Sequence, residues 1–284
     1  MVTIKDYECS FENKWCPGCG NFDILDSMKD AFIDLSIQPE KLLLVSGIGQ
    51  AGKTPHFLKC NMFHSLHGRA LPLATGAKIA NNDLTIVVNS GDGDCYGEGG
   101  NHFISAIRRN IDLTLLVHDN KVYGLTKGQA SPTTDPGIVT KHQPHGVIME
   151  PFNPLAVALS LGAGFVARGF SGNKKQLADL IAEGIQYKGF ALINILQPCV
   201  SFNRINTYGW YNKRVYDLKA ENHIVDDFQN AMNLAFQWED RIPTGIIYKK
   251  KKASYTDRIN VLKNGPMIEQ EYSPEKITSV LARL

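Results

Sequence analysis

Acidic and amide side chains follow two apolar segments of the chain, in a spacing that suits a metal-bound diphosphate. Gly91-Asp92-Gly93 ends the first segment, and Asp119-Asn120 ends the next, after residues 94–118. Mg²⁺ prefers oxygen ligands and usually takes only one or two from carboxylates. Glycine lets the backbone approach phosphate oxygens closely. The pattern therefore predicts a Mg²⁺ site for a diphosphate; two ordinary strand-ending turns are the alternative.

Cysteine is the second residue type with possible chemistry. Cys16-Pro-Gly-Cys19 has the spacing of a metal-ligand pair, and Cys199 follows another apolar segment. Thiolates hold iron–sulfur clusters, usually four at a time. A zinc-stabilised binding module without catalysis is the alternative, but no second cysteine pair would complete tetrahedral zinc. We expect Cys9, Cys60 and Cys95 to be structural.

A glycine-rich segment, 47–54, matches the P-loop pattern G-x-x-x-x-G-K-[ST] after an apolar strand-like run. It predicts a nucleotide hydrolase if a long helix begins at Lys53. Pro55 follows, however, and no helical periodicity continues towards His67. The same segment contains G-x-G-x-x-G, yet no strand ending in an acidic residue follows at the distance that dinucleotide binding requires.

Apolar runs alternate with helical patterns along most of the chain. Continuous apolar strands separated by helices predict an α/β fold, with a mainly parallel sheet covered by helices on both faces. The predicted strands are 41–46, 83–89, 112–118 and 190–195, and the predicted helices are 21–35, capped by Asn21, 99–110, 153–163, 173–187 and 226–238. Residues 124–151 form a long loop rich in Gly, Pro, Thr and His, and such loops are usually functional.

Composition excludes several classes of protein. The chain has 284 residues, 43% hydrophobic residues and a net charge of +2, which gives a full core but no nucleic-acid footprint. No run approaches the length of a membrane span, and the first residues lack the apolar region of a secretory signal. The six cysteines are too irregular for a disulfide framework. We expect a cytoplasmic protein with reduced thiols and a solvated basic run at 249–252.

Several blocks, in this order and spacing, resemble the thiamine-diphosphate-binding beta subunit of the 2-oxoacid:ferredoxin oxidoreductases. The blocks lie at 15–20, 63–76, 91–102, 108–114, 120–129, 197–203 and 205–208, and the resemblance extends over roughly residues 10–250. It implies a thiamine-diphosphate-binding fold. We expect residues 1–200 to form that domain with its N-terminal cysteine segment, and 201–284 to form an arm that contacts another subunit.

The resemblance assigns cofactor and magnesium positions to this chain. It implies that Mg²⁺ is bound by Asp92, Asn120 and the Val122 carbonyl. Positions implied to contact thiamine diphosphate are Ile48, Gly49, Gln50, Ala51, His67, Gly93, Asp94, Gly124 and Leu125. A core histidine is the alternative interpretation of His67. Asp119 stands where the usual thiamine motif has its first Asn.

The resemblance also implies a [4Fe–4S] cluster on Cys16, Cys19 and Cys199. The family's fourth cysteine is expected in a Gly-Ile-Gly-Cys block, but this sequence has Gly47-Ile-Gly-Gln50. An amide is a poor ligand for such clusters. A non-cysteine fourth ligand, a three-iron cluster, recruitment of Cys60 and the absence of a stable cluster therefore all remain open.

The activity that the resemblance implies is coenzyme A-dependent oxidative decarboxylation of a 2-oxoacid, such as pyruvate or 2-oxoglutarate, to an acyl-CoA. Electrons would pass through the cluster to ferredoxin, and an alpha subunit would complete the site. Lys53 and Lys127 are implied to lie near substrate and coenzyme A; ordinary solvated lysines are the alternative. A decarboxylase without electron transfer is a further variant, because of Gln50.

Overall fold

The computed structural model describes residues 1–271 and 274–282. The strands are β1 Leu42–Ser46, β2 Asn61–His64, β3 Thr85–Gly91, β4 Leu113–Asp119, β5 Phe165–Phe170, β6 Phe190–Leu196, β7 Val215–Asp217 and β8 Ile242–Lys249. They form one sheet in the order β2-β1-β3-β4-β6-β5-β8-β7. All neighbouring pairs are parallel except β5 and β8, which are antiparallel. The predicted α/β class with a mainly parallel sheet is confirmed.

Helices cover both faces of this sheet. The α-helices are α1 Gly20–Asp34, α2 Ala70–Ala80, α3 Gly100–Arg109, α4 Pro154–Ser160, α5 Lys174–Gln186, α6 Tyr208–Asn212, α7 Phe228–Phe236, α8 Tyr255–Arg258 and α9 Glu275–Leu281. Short 3₁₀ segments lie at Ile4–Tyr7, Pro39–Lys41, Ala51–Phe57, Asn260–Asn264 and Met267–Glu269, and a π-helical turn at Gly93–Glu98.

Alternating side chains of the central strands build two separate cores. In β3, Ile86 and Val88 pack with α2, α3, α4 and α7, whereas Val87 packs with α1 and α5 on the other face. Every residue of β4 and β6 is buried. Such strands are covered on both faces, as is typical of parallel sheets, and the loops of the candidate site start from their carboxyl ends.

The sequence prediction missed several elements, and one predicted cap is wrong. Among the missed elements are β2, α2 and β5, whereas every predicted helix and strand matches an observed one within a few residues. The predicted cap at Asn21 is wrong: Cys19 is the N-cap residue of α1, and Asn21 lies inside the helix. The Asn21 side chain is buried and contacts His118 instead of capping the helix.

Candidate active site

The predicted site residues converge at one edge of the sheet. β1, β3, β4 and β6 are adjacent, and each ends at this edge. The loops that follow carry residues 47–53, 92–94, 119–122 and 197–203. The carboxyl edge is where open parallel sheets bind ligands.

Asp92 lies at the centre of this edge and is buried. Its Oδ2 accepts hydrogen bonds from the hydroxyls of Ser131 and Thr133, the latter at 2.6 Å. Thr133 Oγ1 is also 2.7 Å from Asp119 Oδ1. Burial, and then the neighbouring Asp119, raise the pKa of Asp92 well above its usual value. Two buried carboxylates joined by one hydroxyl are an electrostatic arrangement that a divalent cation would relieve.

The turn after β4 positions the other predicted magnesium ligands. Lys121 has a φ of 59°, and Val122 N donates to Asn120 Oδ1 at 3.0 Å. Asn203 Nδ2 donates to the Asn120 carbonyl at 3.2 Å, which holds the turn from the other side. Asn120 is half-buried, and the role of its amide oxygen and of the Val122 carbonyl as magnesium ligands stays a prediction.

The Asp94 side chain joins three segments of this edge. Its carboxylate accepts hydrogen bonds from Ile48 N at 2.9 Å, Gly68 N at 2.7 Å and Ser90 Oγ at 2.6 Å. A Cβ on Gly47 would lie 1.8 Å from Asp94 Oδ2. The carboxylate therefore ties the loops after β1 and β2 to β3, and only the backbone of Asp94 is left for a phosphate.

His67 lies beside the Asp94 carboxylate. Its Nδ1 is 2.8 Å from Asp94 Oδ1 and 3.4 Å from Glu98 Oε2, but neither contact has hydrogen-bond geometry. The side chain is 39% exposed, which excludes the fully buried core histidine of the alternative interpretation. Its role towards a cofactor stays a prediction.

Three glycines at or after the carboxyl ends of β1, β3 and β4 leave room for a ligand. A Cβ on Gly49 would meet nothing within 4 Å, and Gly49 has a φ of 126°, which favours glycine. Cβ atoms on Gly91 and Gly124 would meet only single side-chain atoms, Ala51 Cβ at 4.0 Å and Gln50 Cγ at 3.9 Å. We call the space that these three glycines leave the glycine concavity, and such space suits a cofactor whose diphosphate approaches the backbone. Gly93, by contrast, is packed, because its Cβ would lie 2.2 Å from the Tyr123 ring.

The predicted cluster cysteines approach one another at the neighbouring strand end. Burial raises the pKa of the Cys19 thiol to about 11, and Cys199 and Cys16 both add to the shift. Ser201 Oγ donates to Cys16 Sγ at 3.1 Å, and Gln197 Nε2 donates to Cys19 Sγ at 3.4 Å. Three thiols, two of them with hydrogen-bond donors, suit an iron–sulfur cluster chemically. Within residues 1–271 and 274–282, however, no three His, Cys, Asp or Glu side chains form a ready-made metal centre, so the cluster stays a prediction.

Gln50 lies between the thiol segment and the glycine concavity. Its carbonyl accepts a hydrogen bond at 2.9 Å from Nε1 of Trp15, the residue before Cys16 in the sequence. Its side-chain Oε1 is buried and has no hydrogen-bond partner among the described residues. A buried acceptor without a partner is costly, so Gln50 is suited to contact a bound group.

The two predicted lysines lie on the loops around the concavity. Lys53 is half-buried, and Lys127 is exposed in a turn where it has a φ of 72°. Neither ammonium forms an ion pair with the part of the chain that the structure describes. Leu125, on the same turn as Lys127, is also exposed.

Comparison with known proteins identifies the family. A model of the thiamine pyrophosphate enzyme C-terminal TPP-binding domain matches residues 47–195, and a model of the C-terminal part of the pyruvate ferredoxin oxidoreductase beta subunit matches 199–264. The chain is 45% identical to the 2-oxoacid:ferredoxin oxidoreductase subunit beta of Sulfolobus sp, over 93% of this chain and 90% of the relative. The corresponding protein of Saccharolobus solfataricus is 47% identical, over 87% of this chain and 85% of the relative.

The chain belongs to the beta subunits of the 2-oxoacid:ferredoxin oxidoreductases.

A solved structure supports the same family. The 2-oxoglutarate:ferredoxin oxidoreductase of Magnetococcus marinus, with 2-oxoglutarate, coenzyme A and succinyl-CoA bound, superimposes with a TM-score of 0.91 at 37% identity. The match covers 98% of this chain and 96% of the other. The predicted family, oxidoreductase activity and thiamine-diphosphate-binding fold are confirmed, and a beta subunit of such an enzyme has an alpha partner.

The P-loop alternative is wrong. After β1 the chain enters a loop and then the 3₁₀ segment Ala51–Phe57, which has Pro55 inside it. No α-helix begins at Lys53, so no helix N-terminus directs its backbone N–H groups and dipole at a nucleotide there. As part of an oxidoreductase, the chain is also not the non-catalytic zinc module that the cysteines left open.

The sequence did not predict the part of the long loop that covers Asp92. Ser131, Thr133 and Thr134 are buried, and Lys121 Nζ donates to the Thr133 carbonyl at 2.9 Å and to Asp135 Oδ1 at 2.7 Å. The loop was predicted to be functional, but its hydroxyls carry no pattern that indicates contact with Asp92.

The described residues contain no helix that is long and apolar enough to cross a membrane.

Proposed function

We propose that this beta subunit provides the thiamine-diphosphate- and magnesium-binding half of a site for coenzyme A-dependent oxidative decarboxylation of a 2-oxoacid. The observation that carries the proposal is the position of buried Asp92 beside the open glycine concavity, at the carboxyl edge of the sheet. In the Magnetococcus marinus relative, 2-oxoglutarate, coenzyme A and succinyl-CoA are bound. A 2-oxoacid with a second carboxylate is therefore the first substrate to test.

Asp92, Asn120 and the Val122 carbonyl are the proposed magnesium ligands. All three are hard oxygen donors, and they lie on loops after the adjacent strands β3 and β4. Ser131 and Thr133 donate to Asp92 and so fix the direction of its carboxylate. Ligands held in this way lose little freedom when the ion binds.

Backbone groups are proposed to hold the thiamine diphosphate. The π-helical turn begins at Gly93, so the first N–H groups after β3 have no carbonyl partner within the turn. Ile48, Gly49, Gln50 and Ala51 are proposed to contact the cofactor from one side, and Gly124 with Leu125 from the other. When bound, thiamine diphosphate supplies an electron sink for cleavage of the bond to the departing carboxylate.

Cys16, Cys19 and Cys199 are proposed to bind the iron–sulfur cluster. A cluster there would carry single electrons from the active site towards ferredoxin. The donors Ser201 and Gln197 would stabilise thiolate charge and so influence the reduction potential. Gln50, with its buried free oxygen, stands at the family's fourth cysteine position.

Lys53 and Lys127 are proposed to attract the anionic groups of the substrate and coenzyme A. Their ammonium groups are free of ion pairs within the described chain, so neither charge is already neutralised. Lys127 is exposed on its turn and would be covered only in the assembled enzyme.

The alpha subunit is proposed to close the half-site. Exposed apolar side chains lie on the loops next to the candidate site residues: Leu66, Leu125, Val200, Phe202 and Ile205. Clusters of exposed apolar groups usually mark interaction surfaces. The C-terminal residues 201–284 are proposed to extend this contact, and β7 and β8 anchor part of them in the sheet.

Elemental and cofactor analysis of the co-purified alpha–beta complex tests the proposal. We expect thiamine, magnesium, iron and sulfide, with zinc at trace level only. Stoichiometric zinc without iron would overturn the cluster assignment, and absence of thiamine after purification in Mg²⁺ and the cofactor would overturn the cofactor assignment.

A further inference from the structure

A chain of buried hydrogen bonds crosses the core behind the candidate site. His118 Nε2 lies 3.0 Å from Asn89 Oδ1, and Asn89 Nδ2 donates to the Ala51 carbonyl at 3.1 Å. On the other side of the ring, His118 Nδ1 lies 2.7 Å from the Asn21 side chain. Asn21, Asn89 and His118 are all buried.

The two ends of this series of hydrogen bonds lie in segments that are proposed to bind different groups. Asn21 is in the first turn of α1, two positions after Cys19. Ala51 is in the segment after β1 that is proposed to contact the cofactor. His118 stands between them in β4, one position before Asp119. A buried imidazole and two buried amides are costly unless they are hydrogen-bonded, so the set fixes specific partners rather than adding general stability.

The contacts also fix the form of the ring. Asn89 uses its nitrogen towards Ala51, so its oxygen faces His118 and Nε2 must donate. A neutral imidazole then accepts at Nδ1. Asn21 meets that acceptor with its amide nitrogen if the amide is turned by half a rotation about χ2. The same turn gives Asn21 Nδ2 the partner that it otherwise lacks.

We propose that His118 is a positioning residue, which holds the Cys16–Cys19 segment and the Gly47–Lys53 loop in register through Asn21 on one side and Asn89 on the other. The roles of the two segments in binding the cluster and the thiamine cofactor rest on the proposed function. The contacts between the segments do not.

Two conservative substitutions each remove one of the two hydrogen bonds of His118 and keep the other. In His118→Gln the side-chain nitrogen takes about the position of Nε2 and keeps the bond to Asn89, but the bond to Asn21 is lost. In His118→Asn the side-chain oxygen takes about the position of Nδ1 and keeps the bond to Asn21, but the bond to Asn89 is lost. Leu115→Ala, in the same strand but facing the other core, is the matched control for loss of stability.

Hydrogen–deuterium exchange of the alpha–beta complex without added cofactor is the measurement. We expect His118→Gln to speed exchange of residues 17–23 about two- to tenfold, the effect of losing one hydrogen bond, and to leave 47–53 unchanged. We expect His118→Asn to do the reverse, and Leu115→Ala to accelerate neither segment selectively. Equal acceleration of both segments in both variants, or none beyond the control, would overturn the proposal.

A second measurement follows the effect of each hydrogen bond on the complex with its cluster and thiamine diphosphate bound. Where the wild-type complex holds both groups, His118→Gln should shift the electron paramagnetic resonance spectrum of the cluster with little change in thiamine diphosphate affinity. His118→Asn should weaken that affinity and leave the spectrum unchanged. A wild-type complex without either group would contradict the proposed function, whereas the exchange experiment would still decide the role of His118.

Discussion

Asp92 illustrates how single residues prepare this edge of the sheet for a cation. The carboxylates of Asp92 and Asp119 are both buried, and the Thr133 hydroxyl lies within 2.7 Å of each. One hydroxyl carries one proton and cannot donate to both oxygens at once. Burial, and then the negative charge of Asp119, raise the pKa of Asp92. A bound Mg²⁺ would remove the conflict, so the repulsion is concentrated where the ion is expected.

Replacement of Asp92 tests the magnesium site. We expect Asp92→Ala to weaken Mg²⁺-dependent thiamine diphosphate binding by about 100-fold or more, since even outer contacts of metal sites contribute about 10- to 100-fold. Isothermal titration calorimetry of the alpha–beta complex measures this. Asp83→Ala, an exposed carboxylate just before the amino end of β3, is the control and should bind as the wild type does. Wild-type affinity in Asp92→Ala would show that the ion binds elsewhere.

Gln50 is the residue at which this chain departs from the family's cluster pattern. We expect a cluster that loses iron in air faster than in a Gln50→Cys variant, because an amide provides neither the charge nor the strength of a thiolate bond. Iron and sulfide counts with electron paramagnetic resonance, before and after exposure to air, measure the difference. A four-iron cluster of equal air stability in both proteins would contradict the expected lability.

At the scale of elements, the sequence predicted the central strands well because their apolar runs are continuous. It missed β5 because Arg168 interrupts the run; the structure buries the guanidinium, which contacts the carbonyls of Pro243 and Ala235. It missed α2 because Pro72 and Gly76 weaken the helical pattern, yet Leu71 and Ala74 pack into the core. β2 is exposed along its whole length, so no periodicity marked it.

The residues of the candidate site likewise divide into those that the sequence indicates and those that it does not. Residues in compact motifs, such as Asp92, Asn120 and the Cys16–Cys19 pair, could be named from the sequence. Ser131 and Thr133 could not, because their contacts with Asp92 arise when a long loop folds back over β3 and β4. The contacts of His118 with Asn21 and Asn89 join residues far apart in sequence, and no local pattern predicts them.

The covering loop gives a prediction of its own. We expect Thr133→Val to lower the free energy of unfolding by about 1–3 kcal/mol, because two buried carboxylates lose a shared hydrogen-bond partner. Saturating Mg²⁺ and thiamine diphosphate should restore part of this loss. Thermal or chemical unfolding with and without both ligands measures it, and Thr114→Val, a buried position in β4, is the control. A loss no larger than that of Thr114→Val would show that the hydroxyl is unimportant.

Over the whole molecule, the candidate site combines buried residues such as Asp92 with surface that is open to solvent. Leu66 is 75% exposed, and exposed Lys127 is free of ion pairs within the described residues. Decarboxylation at a thiamine cofactor benefits from a site that excludes water. The family places this chain beside an alpha subunit, and the exposed apolar loops are suited to that contact.

The isolated beta subunit should therefore be inactive. We expect no reduction of a viologen dye with pyruvate or 2-oxoglutarate, coenzyme A, Mg²⁺ and thiamine diphosphate when this chain is assayed alone. Addition of the alpha subunit to the same preparation should start the reaction. Turnover by the chain alone, after mass spectrometry has verified that its alpha partner is absent, would show that its site is complete.

Anaerobic turnover by the reconstituted alpha–beta complex decides whether this edge of the sheet binds the cofactor. We expect ferredoxin reduction and acyl-CoA formation that require a 2-oxoacid, coenzyme A, Mg²⁺ and thiamine diphosphate together, and that are lost in the Asp92→Ala complex. Aldehyde formation without reduction of ferredoxin would show the non-redox decarboxylase instead. Undiminished turnover in the Asp92→Ala complex would contradict the assignment of the cofactor to this edge of the sheet.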